Sequence, residues 1–173
     1  MVGGDETIEG YELQIDLLVT EDLKLGLVTT DRDSEETLDF FYDSNADPVP
    51  SETTDGNSAT EYTVTLDWIN EIESGEILLH MDYQFKENTA TDGTGFDQDF
   101  LAVPGVGEDQ KTLNARLAWT NSAESLTVGL WGKNLTDQER VRGTGTITKS
   151  ELGTGFVSVE PPRTYGIDVK YSF

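Results

Sequence analysis

Cysteine is absent from the 173 residues, which excludes disulfides, thiol nucleophiles and cysteine-based zinc or iron–sulfur sites. Any metal would have to be held by oxygen. Positive charge is scarce: 11 Lys plus Arg stand against 34 Asp plus Glu, a formal charge of −23. Such a chain repels polyanions, so nucleic acid is not an expected partner. Histidine occurs once, at His80, and neither a Ser-His-Asp triad nor a histidine-pair metal site can be assembled redundantly around it. Apolar residues reach only 35%, little for a soluble core of this size. Long apolar runs are missing too. Nothing approaches the roughly 18 to 20 residues of a spanning helix, but this leaves open a barrel, whose strands need only about 10 residues of alternating character. The start, Met1 to Gly10, has neither the basic residues nor the apolar stretch of a secretory signal. Either the chain is cytoplasmic, or it is a fragment whose upstream portion carried the export signal.

What is present is alternation, in seven segments. At the end, Tyr165, Ile167, Val169, Tyr171 and Phe173 alternate with Thr164, Gly166, Asp168, Lys170 and Ser172. Upstream, Leu126, Val128 and Leu130 oppose Thr127 and Gly129, and Leu113, Ala115, Leu117 and Trp119 oppose Asn114, Arg116 and Ala118. Before these, Ile77, Leu79, Met81, Tyr83 and Phe85 oppose Glu76, Leu78, His80, Asp82 and Gln84. Tyr62, Val64, Leu66 and Trp68 alternate with Thr63, Thr65 and Asp67; Leu23, Leu25 and Leu27 with Lys24 and Gly26; and Tyr11, Leu13, Ile15 and Leu17 with Glu12, Gln14 and Asp16. A period of two predicts half-buried antiparallel strands and an all-β fold.

The connections are sorted. Short turns are expected near Thr20 to Asp22, Glu71 to Gly75 and Asn121 to Glu124, and long polar stretches run from about Asp31 to Ala59, Glu87 to Gln110 and Asp137 to Pro161. Short and long alternate strictly, as the tight periplasmic turns and long external loops of outer-membrane barrels do, whereas a soluble sandwich has no reason to sort its loops. On that assignment the first strand begins outside and the last ends at the periplasmic side, so earlier strands of the barrel are missing. Trp68, Trp119, Tyr83, Phe85, Tyr171 and Phe173 fall toward strand ends, where interfacial aromatic girdles sit.

The stretch Leu126 to Glu139 carries Gly132, Lys133, Asn134, Leu135, Thr136 and Asp137, an alternation that leads into Gly-Lys-Asn-Leu-x-Asp. Pro161 to Phe173 carries Pro162, Arg163 and Tyr165, then alternation that stops on a terminal Phe. Together these resemble the penultimate and closing strands of a TonB-dependent receptor, over about the last third of the chain. Gly10, Tyr11 and Glu12 resemble, more generically, the start of a paired up-and-down segment of such barrels. Arg140 departs from the pattern, at a position where the family often has an aromatic residue. The resemblance implies that residues 1–173 are the C-terminal part of an outer-membrane transmembrane β-barrel of a Gram-negative bacterium, of the 22-stranded type. It implies no catalysis and no cofactor. The whole protein would take up a scarce small-molecule ligand, such as an iron chelate, cobalamin or an oligosaccharide. Its partners would be outer-membrane lipid, the barrel-assembly machinery and an inner-membrane energy-coupling protein. The machinery would read Tyr165, Tyr171 and Phe173 in the last strand; the coupling protein would act through a plug domain and N-terminal region not in this sequence.

The loops offer little independent chemistry. Asp31 to Ala59 holds nine acidic residues and one base, Arg32, and clustered carboxylates attract calcium, but a solvated loop explains them as well. Asp92, Asp97 and Asp99 lie among Gly93 and Gly95 without the closing Glu of an EF-hand. Gly143, Gly145, Gly153 and Gly155 precede no helix signal and so make no phosphate cradle. His80 shares the polar phase with Glu76, Asp82 and Gln84, which makes it a water-facing side chain. Two other readings of the alternation stand: a complete eight-stranded barrel, closed by a segment in Ser150 to Val159 or Met1 to Glu9, and a soluble acidic β-sandwich binding carbohydrate or calcium. No constellation of nucleophile, base and orienting group points to an enzyme.

Overall fold

The structure, a computed structural model, describes residues 4–38, 41–42, 48–49, 52–55, 59–87, 108–139, 141–144 and 157–173. Twelve strands follow in chain order: β1 (Gly4–Leu18), β2 (Leu23–Leu38), β3 (Phe41–Tyr42), β4 (Pro48–Val49), β5 (Glu52–Asp55), β6 (Ala59–Ile72), β7 (Gly75–Lys86), β8 (Gln110–Asn121), β9 (Leu126–Lys133), β10 (Val141–Thr144), β11 (Val157–Val159) and β12 (Thr164–Tyr171). Seven of them form one antiparallel sheet in the order β1-β2-β6-β7-β8-β9-β12, and β5 lies beside the far end of β2. The chain is all-β, as alternation predicts, and no helix among the described residues is long and apolar enough to cross a membrane. Each of the seven expected segments is a strand of this sheet.

Alternation within a strand does not say whether neighbouring strands agree in phase; register decides that. Here all seven agree. One row runs across the whole sheet through Leu17, Leu25, Leu66, Met81, Ala115, Gly132 and Tyr165. The row one residue away runs through Lys24, Asp67, His80, Arg116, Trp131 and Gly166. In a pleated sheet, successive residues point to opposite faces, so the sheet has one apolar and one polar face.

Neither face is covered by a second layer of described residues. Among the described residues the buried apolar side chains are Ala59 and Ala118 alone, and no large side chain is fully buried. Ile167 and Val169 on β12 keep 69% and 65% of their surface, and Leu130 and Leu117 in mid-sheet keep 50% and 43%. A β-sandwich would bury this face against a second sheet; no second layer lies on it among the described residues.

Aromatic residues bracket the apolar face. On β6, Tyr62 and Trp68 enclose Val64 and Leu66, and on β12 Tyr165 and Tyr171 enclose Ile167 and Val169. Six residues of strand span about 20 Å. Tyr62 stacks on Phe85 at 4.9 Å between ring centroids at one end, and Tyr171 meets Phe173 edge-on at 5.1 Å at the other.

The short connections all lie at one end of the sheet: 19–22, 73–74 and 122–125. Asn121 builds the last of them: its Oδ1 accepts from the Leu126 amide at 2.9 Å and its Nδ2 donates to Ser125 Oγ at 3.1 Å. The long connections lie at the opposite end. One expectation needs correction there. The polar stretch from Asp31 is not loop throughout: β2 continues to Leu38, pairing with Gly4–Gly10 on one side and β5 on the other. The acidic residues that break the apolar pattern do not break the backbone ladder, because both faces of this extension meet water. Asp92, Asp97 and Asp99, with Gly145, Gly153 and Gly155, lie outside the described residues.

Seven strands in antiparallel order leave the outermost two, β1 and β12, running the same way, from loop end to turn end. The sheet is open, and neither of these strands has a partner on its outer edge among the described residues. Residues 4–10 lengthen β1 rather than adding a strand, and β11 pairs with β10 in a separate small hairpin. Among the described residues, neither segment adds a further strand to the edge of the sheet.

Candidate functional site

The polar face is organised by charge. Lys24 Nζ stands 2.9 Å from Asp16, and His80 Nδ1 stands 2.6 Å from Asp67 Oδ1 with Asp82 on its other side at 3.8 Å. Arg116 on β8 forks onto Asp168 of β12, with Nη2 donating to Oδ2 at 2.8 Å. These two strands are not neighbours; β9 lies between them, and Arg116 crosses it at Gly129. A Cβ at that position would stand 2.6 Å from Arg116 Nη2 and 2.7 Å from Asp168 Oδ1. Glycine is what lets the pair form. Apart from Asp82, at 18%, the side chains in these pairs are about 40–50% exposed, so each contributes little stability; what they create is a lining of alternating sign.

The Gly-Lys-Asn-Leu-x-Asp element forms a knot where β9 ends. Asn134, buried to 7% exposure, takes a left-handed φ of 51°, a conformation that asparagine tolerates better than most residues. Its amide donates to Asn114 Oδ1 at 3.0 Å, its side chain donates to the Gln138 carbonyl at 2.9 Å, and its Oδ1 accepts from the Gln138 amide at 3.1 Å. Asn114 in turn donates to Asp82 at 2.7 Å. Leu135 donates to the Leu113 carbonyl at 2.8 Å and folds over Gly132, where an added Cβ would stand 2.6 Å from Leu135 Cδ2. Thr136 Oγ1 donates to the Lys111 carbonyl at 2.8 Å. Gln138 closes the knot: its side chain accepts from the Lys111 amide and donates to the Asp109 carbonyl.

The closing element attaches to the same knot. Arg163 Nη2 stands 2.9 Å from Asp137 Oδ2. Asp137, at a φ of 56°, also accepts from the Arg163 amide at 3.4 Å. Of the residues singled out in sequence, Gly132, Asn134, Leu135, Asp137 and Arg163 therefore meet at one junction of β8, β9 and the start of β12. Lys133 stands beside it on the polar face, opposite Thr164. Pro162 is exposed just before β12. Tyr165, the cross-strand partner of Gly132, adjoins the junction on the apolar phase of the last strand, whereas Tyr171 and Phe173 lie at the far end; the three are 79%, 60% and 115% exposed.

Sequence reading missed Asn114, Gln138 and Trp131. Asn114 and Gln138 are 20 and 4 residues from Asn134 in sequence, and nothing short of the β8–β9 register brings all three together. Trp131 continues the polar phase of Thr127 and Gly129 and lies between Arg116 on one neighbouring strand and Gly166 on the other; its parity was the signal that could have found it. Two hollows adjoin it. One, of about 390 Å³, includes Asp82, Asn114, Arg116 and Lys133 in its lining; the other, of about 480 Å³, includes Gln84, Asn114, Lys133 and Pro162. Among the described residues no group of three or more His, Asp or Glu is placed to hold a metal ion. Set against family models, curated proteins and solved structures, the chain finds no match in any of the three.

Proposed function

We propose that this chain is a sector of an outer-membrane β-barrel, the C-terminal part of a TonB-dependent receptor that imports a scarce small-molecule ligand. The observation that carries the reading is the agreement in phase of all seven strands, which gathers the seven alternating apolar sets on one face that no described residue covers, while Ile69, Leu78 and Ala118 form a short apolar row on the other. Lipid is the solvent that such a face fits, and the ion-paired face fits a watery lumen. The bracketing aromatics and the sorting of short and long connections to opposite ends support the same orientation, long loops outward. The knot at Asn134, joined to Arg163, supports reading the two motifs as one element, as their joint resemblance to the end of such receptors implies.

In lipid, an unpaired strand edge is costly, which favours partner strands along β1 and β12. Because β1 and β12 run the same way, they cannot close on each other in an antiparallel ladder. An even-stranded barrel containing this sheet needs an odd number of further strands. The last strand, with Tyr165, Tyr171 and Phe173 outward, is the feature that the barrel-assembly machinery would read. The ligand would reach the polar face, and energy would come from an inner-membrane coupling protein acting through a plug outside this sequence.

Tryptophan fluorescence tests the orientation, since the chain holds Trp68 and Trp119 on the apolar face and Trp131 on the polar one. In single-tryptophan variants reconstituted into vesicles, lipids brominated on the acyl chains are expected to quench Trp68 and Trp119 and to spare Trp131. Aqueous iodide should do the reverse. A chain that is compact in plain buffer, with Trp68 and Trp119 shielded from both quenchers, would overturn the barrel and favour a soluble sandwich.

A further inference from the structure

Aromatic side chains on the seven main strands are sorted almost completely. Tyr11, Tyr62, Trp68, Tyr83, Phe85, Trp119, Tyr165 and Tyr171 share the apolar face, and Trp131 alone stands on the polar face. It is not there to fill a core. The residue is half-buried, and its indole occupies the space above Gly166 where a side chain would stand, with Cζ2 2.6 Å from an added Cβ. Among the described residues its Nε1–H has no hydrogen-bond partner, whereas a buried tryptophan ordinarily finds one.

The hollows beside it, about 390 and 480 Å³, fall in the range of small-ligand sites. Asn114, Trp131 and Lys133 line both. Around the indole stand planar polar groups: the Asp82 carboxylate, the Asn114 and Gln84 amides and the Arg116 guanidinium. Signs nearly balance, since Arg116 is bonded to Asp168 and Lys133 stands across the hollow from Asp82.

We infer that Trp131 is the platform of a saccharide-binding site that takes a neutral pyranose unit. A pyranose ring has an apolar C–H face, which suits an indole, and a rim of hydroxyls that both donate and accept, which suits mixed amide, carboxylate and ammonium groups. An anionic chelate finds no surplus of positive charge: Arg116 is already bonded to Asp168, and Lys133 is offset by Asp82 and Glu160, in a chain of charge −23. A purely apolar ligand would take the Lys133 ammonium out of water without offering it a partner. The inference rests on the barrel reading, which makes the polar face a lumen rather than a general surface.

The test uses the full chain folded in dodecylphosphocholine, a detergent without a sugar head group. Saturation-transfer NMR is run with maltotriose, cellotriose and chitotriose as probes, and with ferric citrate as an anionic competitor. At least one trisaccharide is expected to receive saturation on its ring protons and not to be displaced by ferric citrate. Affinity should fall about tenfold or more in Trp131→Ala, largely survive in Trp131→Tyr and stay unchanged in Trp119→Phe. No transfer to any of the three sugars, equal binding by Trp131→Ala, or displacement by ferric citrate would overturn the inference. A chain that is β-rich in detergent and passes the lipid-quenching test but binds no sugar loses this inference alone. A chain with no β-rich state in detergent loses the barrel reading first, and the saccharide site with it.

Discussion

The two faces of the same seven strands differ in what their residues specify. From β1 to β8, the row Leu17, Leu25, Leu66, Met81 and Ala115 carries no hydrogen-bonding side chain; its members specify a solvent, not one another. One residue away, Lys24 answers Asp16, His80 answers Asp67, and Arg116 answers Asp168 through the gap that Gly129 leaves. The apolar face should accept many aliphatic substitutions and no charge, and the polar face should accept charge but be particular about partners.

The sharpest way to break that contrast is to place the same charge on adjacent residues of β6. Leu66→Lys puts an ammonium on the apolar face at mid-strand and is expected to destabilise the protein in vesicles by about 2–4 kcal/mol, the cost of Lys near a bilayer midplane. Thr65→Lys turns the same group to the polar face, beside Asp82, and should change stability by about 1 kcal/mol or less. Denaturant titration of vesicle-reconstituted protein measures both. Equal effects would mean that the two faces meet the same solvent.

Next in size is the knot. Asn134→Ala removes two hydrogen bonds of a buried side chain, to the Gln138 carbonyl and the Gln138 amide. The expected loss is about 1–3 kcal/mol in the same assay. Asn134→Gly keeps the left-handed backbone accessible and separates the side-chain bonds from the φ requirement. A loss as large in Asn134→Gly as in Asn134→Ala would assign the effect to the bonds.

Removing Phe173 touches neither ladder nor ion pair, since β12 ends at Tyr171. It should leave the β content in detergent unchanged while lowering the amount inserted in the outer membrane by cells, read by fractionation. Loss of detergent-folded structure would instead make Phe173 a packing residue. The smallest expected effect is at Gly129→Val, which keeps both charges but blocks the approach of Arg116 to Asp168. It should destabilise less than Asn134→Ala, and without the salt dependence expected of the intact protein.

Much of this architecture was legible in sequence because a period of two survives wherever one face is apolar, as from Tyr165 to Phe173. Where both faces meet water, the pattern falls silent. Arg32 to Leu38 reads as acidic loop, yet its backbone continues β2, held by a ladder that side-chain chemistry does not report. The junction was legible only in part. Its motif residues stood out, but Asn114 and Gln138 acquire their roles from register, whereas the polar phase of Trp131 was already set by Thr127 and Gly129.

Gly129 has one more consequence, for the order in which the sheet comes apart. An edge strand normally frays alone, residue by residue, at little cost. Here Asp168 on the edge strand is tied past its neighbour to Arg116, so fraying of β12 from its Tyr171 end meets one more contact when it reaches Asp168. The amides around Asp168 should therefore exchange with deuterium more slowly than those nearer Tyr171.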